Sequence, residues 1–449
     1  MYKVDGPREE ALKILIKVFE DKSYSNILIK NLGQKYTSLD RSFITELVYG
    51  TIKYKLRIDY IISKQSNINM NKISPSILNI LRMGIYQIDY LDRVPNSAAV
   101  DESVKLAKKY DNIGASKFVN GLLRNYCRRK DAISFSELKS DKTAYLSVVY
   151  SYPKWMVKAI IDDYGYEFTE DFLKYSNLAA DTTIRVNRLK IDKETLKDKL
   201  TQNNIEVYNG RYMENSLVIK NIPGILNIDE YKEGYFTVQD ESSMLAAYIL
   251  NPKPGDFVMD VCASPGTKST YMAEIMGNRG TIISGDIHKG KLKLVDNNSK
   301  RLGIDIISTI WNDAERLNNE FVGKADKLLV DAPCSGLGIM RKKPEIRWNR
   351  TIDEIKEIQN IQKSILSSSS KYLKVGGSLV YSTCTILKDE NINMIYKFLD
   401  ENKNFELEGF ENILPKGLKK EDAKKGYIEL FPNTDFIDGF FIAKMKRKA

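Results

Sequence analysis

Two thiols in the last third of the chain sit where covalent chemistry would need them. Cys334 stands in Asp331-Ala332-Pro333-Cys334-Ser335-Gly336, and Cys384 in Tyr381-Ser382-Thr383-Cys384-Thr385. Each stretch closes a short apolar run that reads as a strand. A lone free cysteine is usually a small buried apolar side chain. Two of them at the ends of adjacent strands are hard to explain by packing. Cysteine has appreciable thiolate near neutrality and high intrinsic nucleophilicity, so the pairing suggests a covalent step. Asp331, three residues before Cys334, could hold a polar substrate group and stabilise charge that develops on it. The remaining cysteines, Cys127 and Cys262, never form Cys-x-x-Cys, which argues against a disulfide framework or a zinc site. His288 is the single histidine, so serine–histidine triads, two-histidine zinc sites and zinc deaminases lose a required residue.

A second constellation begins at Asp260-Val261-Cys262-Ala263-Ser264-Pro265-Gly266-Thr267-Lys268-Ser269. A Pro-Gly turn between a strand and a helix lets backbone amides approach a ligand. The stretch is neither Gly-x-Gly-x-x-Gly nor the phosphate loop Gly-x-x-x-x-Gly-Lys. Asp286 closes the next strand, about twenty residues on, where an acid can accept both hydroxyls of a ribose. Asp313, after the third strand, is placed to accept from an adenine amino group. Asp260 could meet a cationic amine or simply brace the loop, and each acid taken alone could equally be a helix cap.

The elements that must position these residues are legible. Strands are expected at Phe257 to Cys262, Thr281 to Ile287, Ile306 to Trp311, Lys327 to Asp331 and Ser378 to Thr383, with helical patterns between most of them. Repeated strand–helix units predict a parallel, doubly wound α/β sheet, whose ligands bind beyond the carboxyl ends of the strands. From Pro7 to about Arg129 the apolar spacing is helical. Ala11, Leu12, Leu15, Ile16 and Phe19 form one stripe; Phe43, Ile44, Leu47 and Val48 another; Phe118, Val119, Leu122, Leu123 and Tyr126 a third. Pro95 followed by Asn96-Ser97 predicts a stop and then an N-cap. Between about Ala144 and Gln239, a helix from Trp155 to Tyr164 and a strand from Thr182 to Asn187 predict a small α+β module. The expected division is therefore 1–140, an all-α bundle; 141–238, the small module; and 239–449, a Rossmann-like catalytic domain.

Of the 449 residues, 43% are hydrophobic and 29% charged, values of an ordinary globular chain. No apolar run approaches the length of a membrane span and the first five residues do not resemble a secretion signal, so a cytoplasmic location without membrane is expected. The net charge of +10 is concentrated in the first third, which favours a polyanionic partner. Arg341-Lys342-Lys343-Pro344-Glu345-Ile346-Arg347-Trp348 could grip phosphate and stack on a base, or be a solvated loop.

Two resemblances sharpen this reading. Val94 to Val104 and Lys117 to Arg124 look like the signature stretches of the NusB-like RNA-binding domain. The Asp260–Ser269 loop and both cysteine stretches resemble the Sun/Fmu family of RNA cytosine-5 methyltransferases, whose loop usually runs Cys-Ala-Ala-Pro-Gly-Gly-Lys-Thr. Ser264, Thr267 and Ser269 depart from that form, and Thr267 is the notable departure because a β-branched residue resists the positive φ that a second glycine permits. The order of domains resembles that of bacterial 16S ribosomal RNA cytosine-5 methyltransferases.

The resemblance implies S-adenosyl-L-methionine as methyl donor, with S-adenosyl-L-homocysteine as product, and 16S ribosomal RNA as partner. It implies a catalytic set of Cys384 (nucleophile), Cys334 (release), Asp331 and Lys268. The cofactor set is then Cys262, Ala263, Ser264, Pro265, Gly266, Thr267, Lys268, Asp286, Lys291, Asp313 and Asp331, with Lys291 standing where the family usually has arginine. No metal is expected, and the chain is expected to be a monomer. The chemistry is coherent: cytosine C5 is a poor nucleophile until a thiolate adds at C6, and the base must be unstacked to react. Rival readings are a DNA cytosine-5 methyltransferase, which would leave Cys384 without a role, a non-catalytic RNA-binding ribosome assembly factor, and a methyltransferase acting on another RNA such as tRNA.

Overall fold

The computed structural model describes residues 4–33, 35–220 and 224–449. Met1, Tyr2 and Lys3, on which the expectation of no secretion signal partly rests, lie outside the described residues. By packing, the chain forms two compact units, Met1–Leu178 with Met340–Asn349, and Ala179–Ile339 with Arg350–Ala449.

The first unit is helical throughout its described residues. Helix Gly6–Glu20 starts where Asp5 accepts from the Arg8 amide, and it buries Ala11, Leu12 and Leu15. Helices Ser38–Lys53 and Ile113–Arg129 bury the other two expected stripes, except for half-buried Phe43 and Phe118. Helix Asn96–Tyr110 begins one residue earlier than its cap motif suggests: Pro95 is itself the N-cap and makes no side-chain cap bond.

Within Arg341 to Trp348, read as an RNA-gripping or solvated loop, the second half is corrected: Glu345, Arg347 and Trp348 pack inward, while Lys343 is exposed. Arg347 is fully buried, with its guanidinium 3.7 Å from the Tyr152 ring centroid. It donates to the carbonyls of Lys53 (3.2 Å), Ser151 (3.4 Å) and Ser176 (3.2 Å). Glu345 accepts from the amide and hydroxyl of Ser25, and the Trp348 indole donates to the Ile52 carbonyl at 2.7 Å. These residues complete the first unit's interior.

The second unit holds two sheets. β1 (Thr182–Val186), β2 (Glu206–Asn209), β3 (Ser216–Lys220) and β4 (Phe236–Val238) form an antiparallel sheet in the order β2-β3-β1-β4. Ile184 and Val186 enter its own core, while Arg185 between them projects the other way, as strand alternation requires. The larger sheet contains β5 (Phe257–Asp260), β6 (Thr281–Asp286), β7 (Ile307–Trp311), β8 (Ala325–Asp331), β9 (Leu373–Thr383), β10 (Phe405–Leu407), β11 (Tyr427–Leu430) and β12 (Phe440–Arg447). Its order is β10-β12-β9-β8-β5-β6-β7, with β11 paired to β12.

The five expected strands, β5 to β9, are parallel, and apolar clusters cover both faces of the sheet. Val258 and Val380 point into one cluster; Met259, Leu379 and Tyr381 point into the other. The antiparallel edge was not expected: β12 pairs with β9, β10 and β11, converting an all-parallel sheet into a mixed one. Chain order reverses between β5 and β8, so the crevice of a doubly wound sheet opens at their carboxyl ends. Among the described residues no helix is long and apolar enough to cross a membrane.

Candidate active site

The β5 end supplies a closed turn. The Ala263 amide donates to the Gly285 carbonyl at 2.9 Å and the Gly266 amide to the Ala263 carbonyl at 2.6 Å. The Ser264–Pro265 peptide is cis. Gly266 takes the left-handed backbone (φ +95°), and a Cβ there would come within 3.0 Å of Val295. Thr267 opens the helix Thr267–Ile275 and is not among the positive-φ residues. The strain that its branched side chain would suffer therefore never arises, because the preceding glycine carries the unusual φ alone. Arg185 secures the same helix from the small sheet, donating to the Thr267 carbonyl (2.7 Å), the Thr270 hydroxyl (3.0 Å) and Glu274 (2.8 Å), and also to Gln239.

The acids at the strand ends differ. Asp260 is buried: one oxygen accepts from Ser269 at 2.6 Å, while Oδ1 has no hydrogen-bond partner. Burial pushes its carboxyl up to about 7. Asp286 is half-buried and accepts from the amides of Ser264 (3.3 Å) and His288 (2.8 Å), tying two strand-end loops together. Asp313 accepts from the Glu315 amide and pairs with Arg316 at 3.3 Å, so it caps its own turn. The Lys291 side chain is exposed on helix Lys289–Leu302, its carbonyl 3.4 Å from the Ser264 hydroxyl. Burial, then the charges of Asp260, Asp331 and Asp286, hold the Cys262 thiol well above the usual thiol range.

Across the crevice, the β8 and β9 ends meet. Asp331 accepts from Lys268 Nζ at 2.7 Å on one oxygen and from the Ser382 hydroxyl at 2.8 Å on the other. Burial works against the Lys268 ammonium, but the Asp331 carboxylate outweighs it and the net shift is upward, so Lys268 stays charged. Cys334 Sγ lies 3.1 Å from Cys384 Sγ and accepts from the Cys384 amide at 3.3 Å. The adjacent Cys384 sulfur, and then burial, raise the Cys334 thiol well above its ordinary range. The Cys384 carbonyl accepts from the Gly338 amide at 2.9 Å, and the Gly439 amide donates to the Gly338 carbonyl at the same distance. A Cβ at Gly338 would lie 2.1 Å from the Gly439 oxygen, so only glycine permits this approach.

The expected catalytic residues Lys268, Asp331, Cys334 and Cys384 thus converge from three separate stretches of chain. Four further residues went unassigned in the sequence. Ser269 and Ser382 stood inside the quoted motifs with no indication of what they touch. Arg185 stood only as part of an expected strand, and Glu390, in Lys388-Asp389-Glu390, drew no reading.

Residues 247–446 match the family described as 16S rRNA methyltransferase RsmB/F, residues 5–128 the NusB family, and residues 152–225 a ferredoxin-like domain of RsmF/B-like methyltransferases. The chain is 37% identical, over 98% of its own length and 98% of the relative's, to the probable ribosomal RNA small subunit methyltransferase B of Bacillus subtilis. It is 28% identical, over the whole of both chains, to ribosomal RNA small subunit methyltransferase B of Escherichia coli. The solved structure of PH0851 superposes with a TM-score of 0.83 at 26% identity, covering 99% of this chain and 100% of that one. On a match that runs nearly end to end, the chain belongs to the 16S rRNA methyltransferase RsmB/F family.

Proposed function

We propose that this methyltransferase transfers the methyl of S-adenosyl-L-methionine to C5 of a cytosine in 16S ribosomal RNA, in the cytoplasm and as a monomer, through a covalent bond between Cys384 and C6 of the base. The observation that carries this reading is the apposition of the Cys384 and Cys334 sulfurs beside the Lys268–Asp331 pair. We assign residues 1–140 to RNA binding and 239–449 to catalysis, and 141–238 to RNA as the family resemblance implies.

The residues present fit the cofactor. Asp260 Oδ1, buried without a donor, suits the amine of a bound amino acid, and half-buried Asp286 keeps lone pairs for ribose hydroxyls. When bound, the cofactor supplies an electrophilic methyl group on a sulfonium. Cys384, its thiol proton given up to water, forms as thiolate a bond from Sγ to C6, and the electron pair displaced from the C5–C6 double bond makes C5 nucleophilic. Asp331, held by Lys268 and Ser382, fixes the pyrimidine edge and the charge that develops there. After C5 has gained the methyl, its proton passes to the Cys334 sulfur as thiolate, directly or through water, the C5–C6 double bond re-forms as the C6–S bond breaks, and Cys384 leaves as the thiolate.

The test separates the two thiols by order of action. Cys384→Ala should give neither methyl transfer nor a covalent RNA complex. Cys334→Ala should still methylate once but remain trapped, leaving a complex that survives denaturing electrophoresis and vanishes in the double variant. Trapping by Cys384→Ala and not by Cys334→Ala would reverse the assignment. Bisulfite mapping of ribosomal RNA from cells with and without the gene identifies the nucleotide; unchanged 16S maps would exclude that substrate.

A further inference from the structure

Glu390 lies behind the two cysteine stretches, fully buried, and the reaction just described makes no use of it. Its carboxylate accepts from the Ser335 amide at 2.8 Å, the Ser335 hydroxyl at 2.5 Å and the Thr385 hydroxyl at 3.2 Å. Ser335 directly follows Cys334, and Thr385 directly follows Cys384. The two hydroxyls also meet each other at 2.7 Å. Gln362 completes the cluster, donating to Glu390 at 3.1 Å and to the Pro333 carbonyl, just before Cys334, at 2.9 Å. The Glu390 backbone is pinned in turn, its carbonyl accepting from the Tyr381 hydroxyl at 2.8 Å on β9.

A buried carboxylate is a costly way to join two loops, since desolvation disfavours its charged form and apolar packing would hold them more cheaply. What it supplies instead is direction, because each acceptor lone pair fixes the donor it faces. We propose that Glu390 is a positioning residue for the reaction: by gripping the residue that follows each cysteine, it sets the approach of the Cys334 and Cys384 sulfurs. Its role in catalysis rests on the thiol chemistry proposed above; its role in placing the sulfurs does not.

The experiment reads sulfur placement without cofactor or RNA. Diamide adds one thiolate across its N=N bond, and the second thiol then displaces the hydrazine to form the disulfide; the rate of that second, intramolecular step reports how closely and how often the sulfurs meet. In the full-length enzyme, Cys334–Cys384 pairing followed by mass spectrometry should be fast, and at least tenfold slower in Glu390→Ala. Glu390→Gln, equal in size, should fall between them. In parallel, kcat for methyl transfer should drop at least tenfold in Glu390→Ala, with the KM for RNA and the affinity for S-adenosylmethionine within twofold of wild type. Should Glu390→Ala fail to fold, Glu390→Gln and Thr385→Val decide the matter by the same two readouts. Pairing rates and kcat within twofold of wild type in the folded variants would overturn the proposal. Slow pairing in variants of an enzyme that methylates no cytosine would instead leave the positioning intact and remove the functional reading.

Discussion

Two buried cations, one in each unit, show how differently the same kind of charge can be used. Arg347 is fully buried and spends its guanidinium on three backbone carbonyls and the face of Tyr152. Lys268 is nearly as buried, but its partner is Asp331, whose side chain keeps 28% of its surface exposed. The first cation has only scaffold atoms to act on. The second holds a carboxylate that still faces outward, so its field reaches whatever enters the crevice. Residue type does not separate these two charges; the accessibility of the partner does.

The largest effect that could break this contrast is on catalysis. Lys268→Met should lower single-turnover methyl transfer by about 10²- to 10³-fold, the usual cost of losing one electrostatic contact to developing charge. Its melting temperature should change little, because Asp331 is open to water. Unimpaired turnover would put Lys268 in the same class as Arg347. The converse variant, Arg347→Met, should lower urea stability by about 2 to 4 kcal/mol by stranding buried carbonyls. Its methyl-transfer rate per folded molecule should match wild type, and a selective rate loss would give Arg347 a part in the reaction.

Asp286→Ala sharpens the contrast at the cofactor end. Loss of charge-assisted hydrogen bonds should weaken S-adenosylmethionine binding by about 1.5 to 3 kcal/mol in calorimetric titration. Unchanged affinity would leave Asp286 as a brace between the Ser264 and His288 amides and nothing more. The smallest effect belongs to Thr267→Gly, which restores the common family letter. It should cost roughly 0.5 to 1 kcal/mol of stability, because glycine at a helical position has more conformational freedom to lose. Cofactor affinity should stay within twofold, whereas a marked gain would mean that the threonine does distort the loop.

What the sequence made legible follows the same division. The helical first domain and the parallel strands β5 to β9 announce themselves through local apolar periodicity, and the residues at the strand ends follow from the topology that periodicity implies. The antiparallel edge made by β12 was less visible, since its pairing with β9 is a long-range choice that no local pattern encodes. Glu390 and Arg185 were invisible for a related reason: a charged residue looks solvated until the partners that surround it, dozens of positions away, are known. Arg347 and Trp348 misled in the opposite direction. A basic aromatic stretch beside a cysteine motif invites an RNA-binding reading, yet Glu345, Arg347 and Trp348 are absorbed into the first unit while Lys343 stays exposed.

That absorption also orders events during synthesis. The interior of the first unit takes Glu345 and Arg347 from a segment that emerges only after residues 179–339 have been translated. At roughly 5 to 20 residues per second, the N-terminal helices wait on the order of ten to thirty seconds for their last interior residues. Meanwhile, the carbonyls of Lys53, Ser151 and Ser176 remain without the guanidinium. The chain reaches its mature packing only after the strand carrying Asp331 and the Cys334 stretch have left the ribosome, so a product broken off earlier lacks the segment that completes its helical unit.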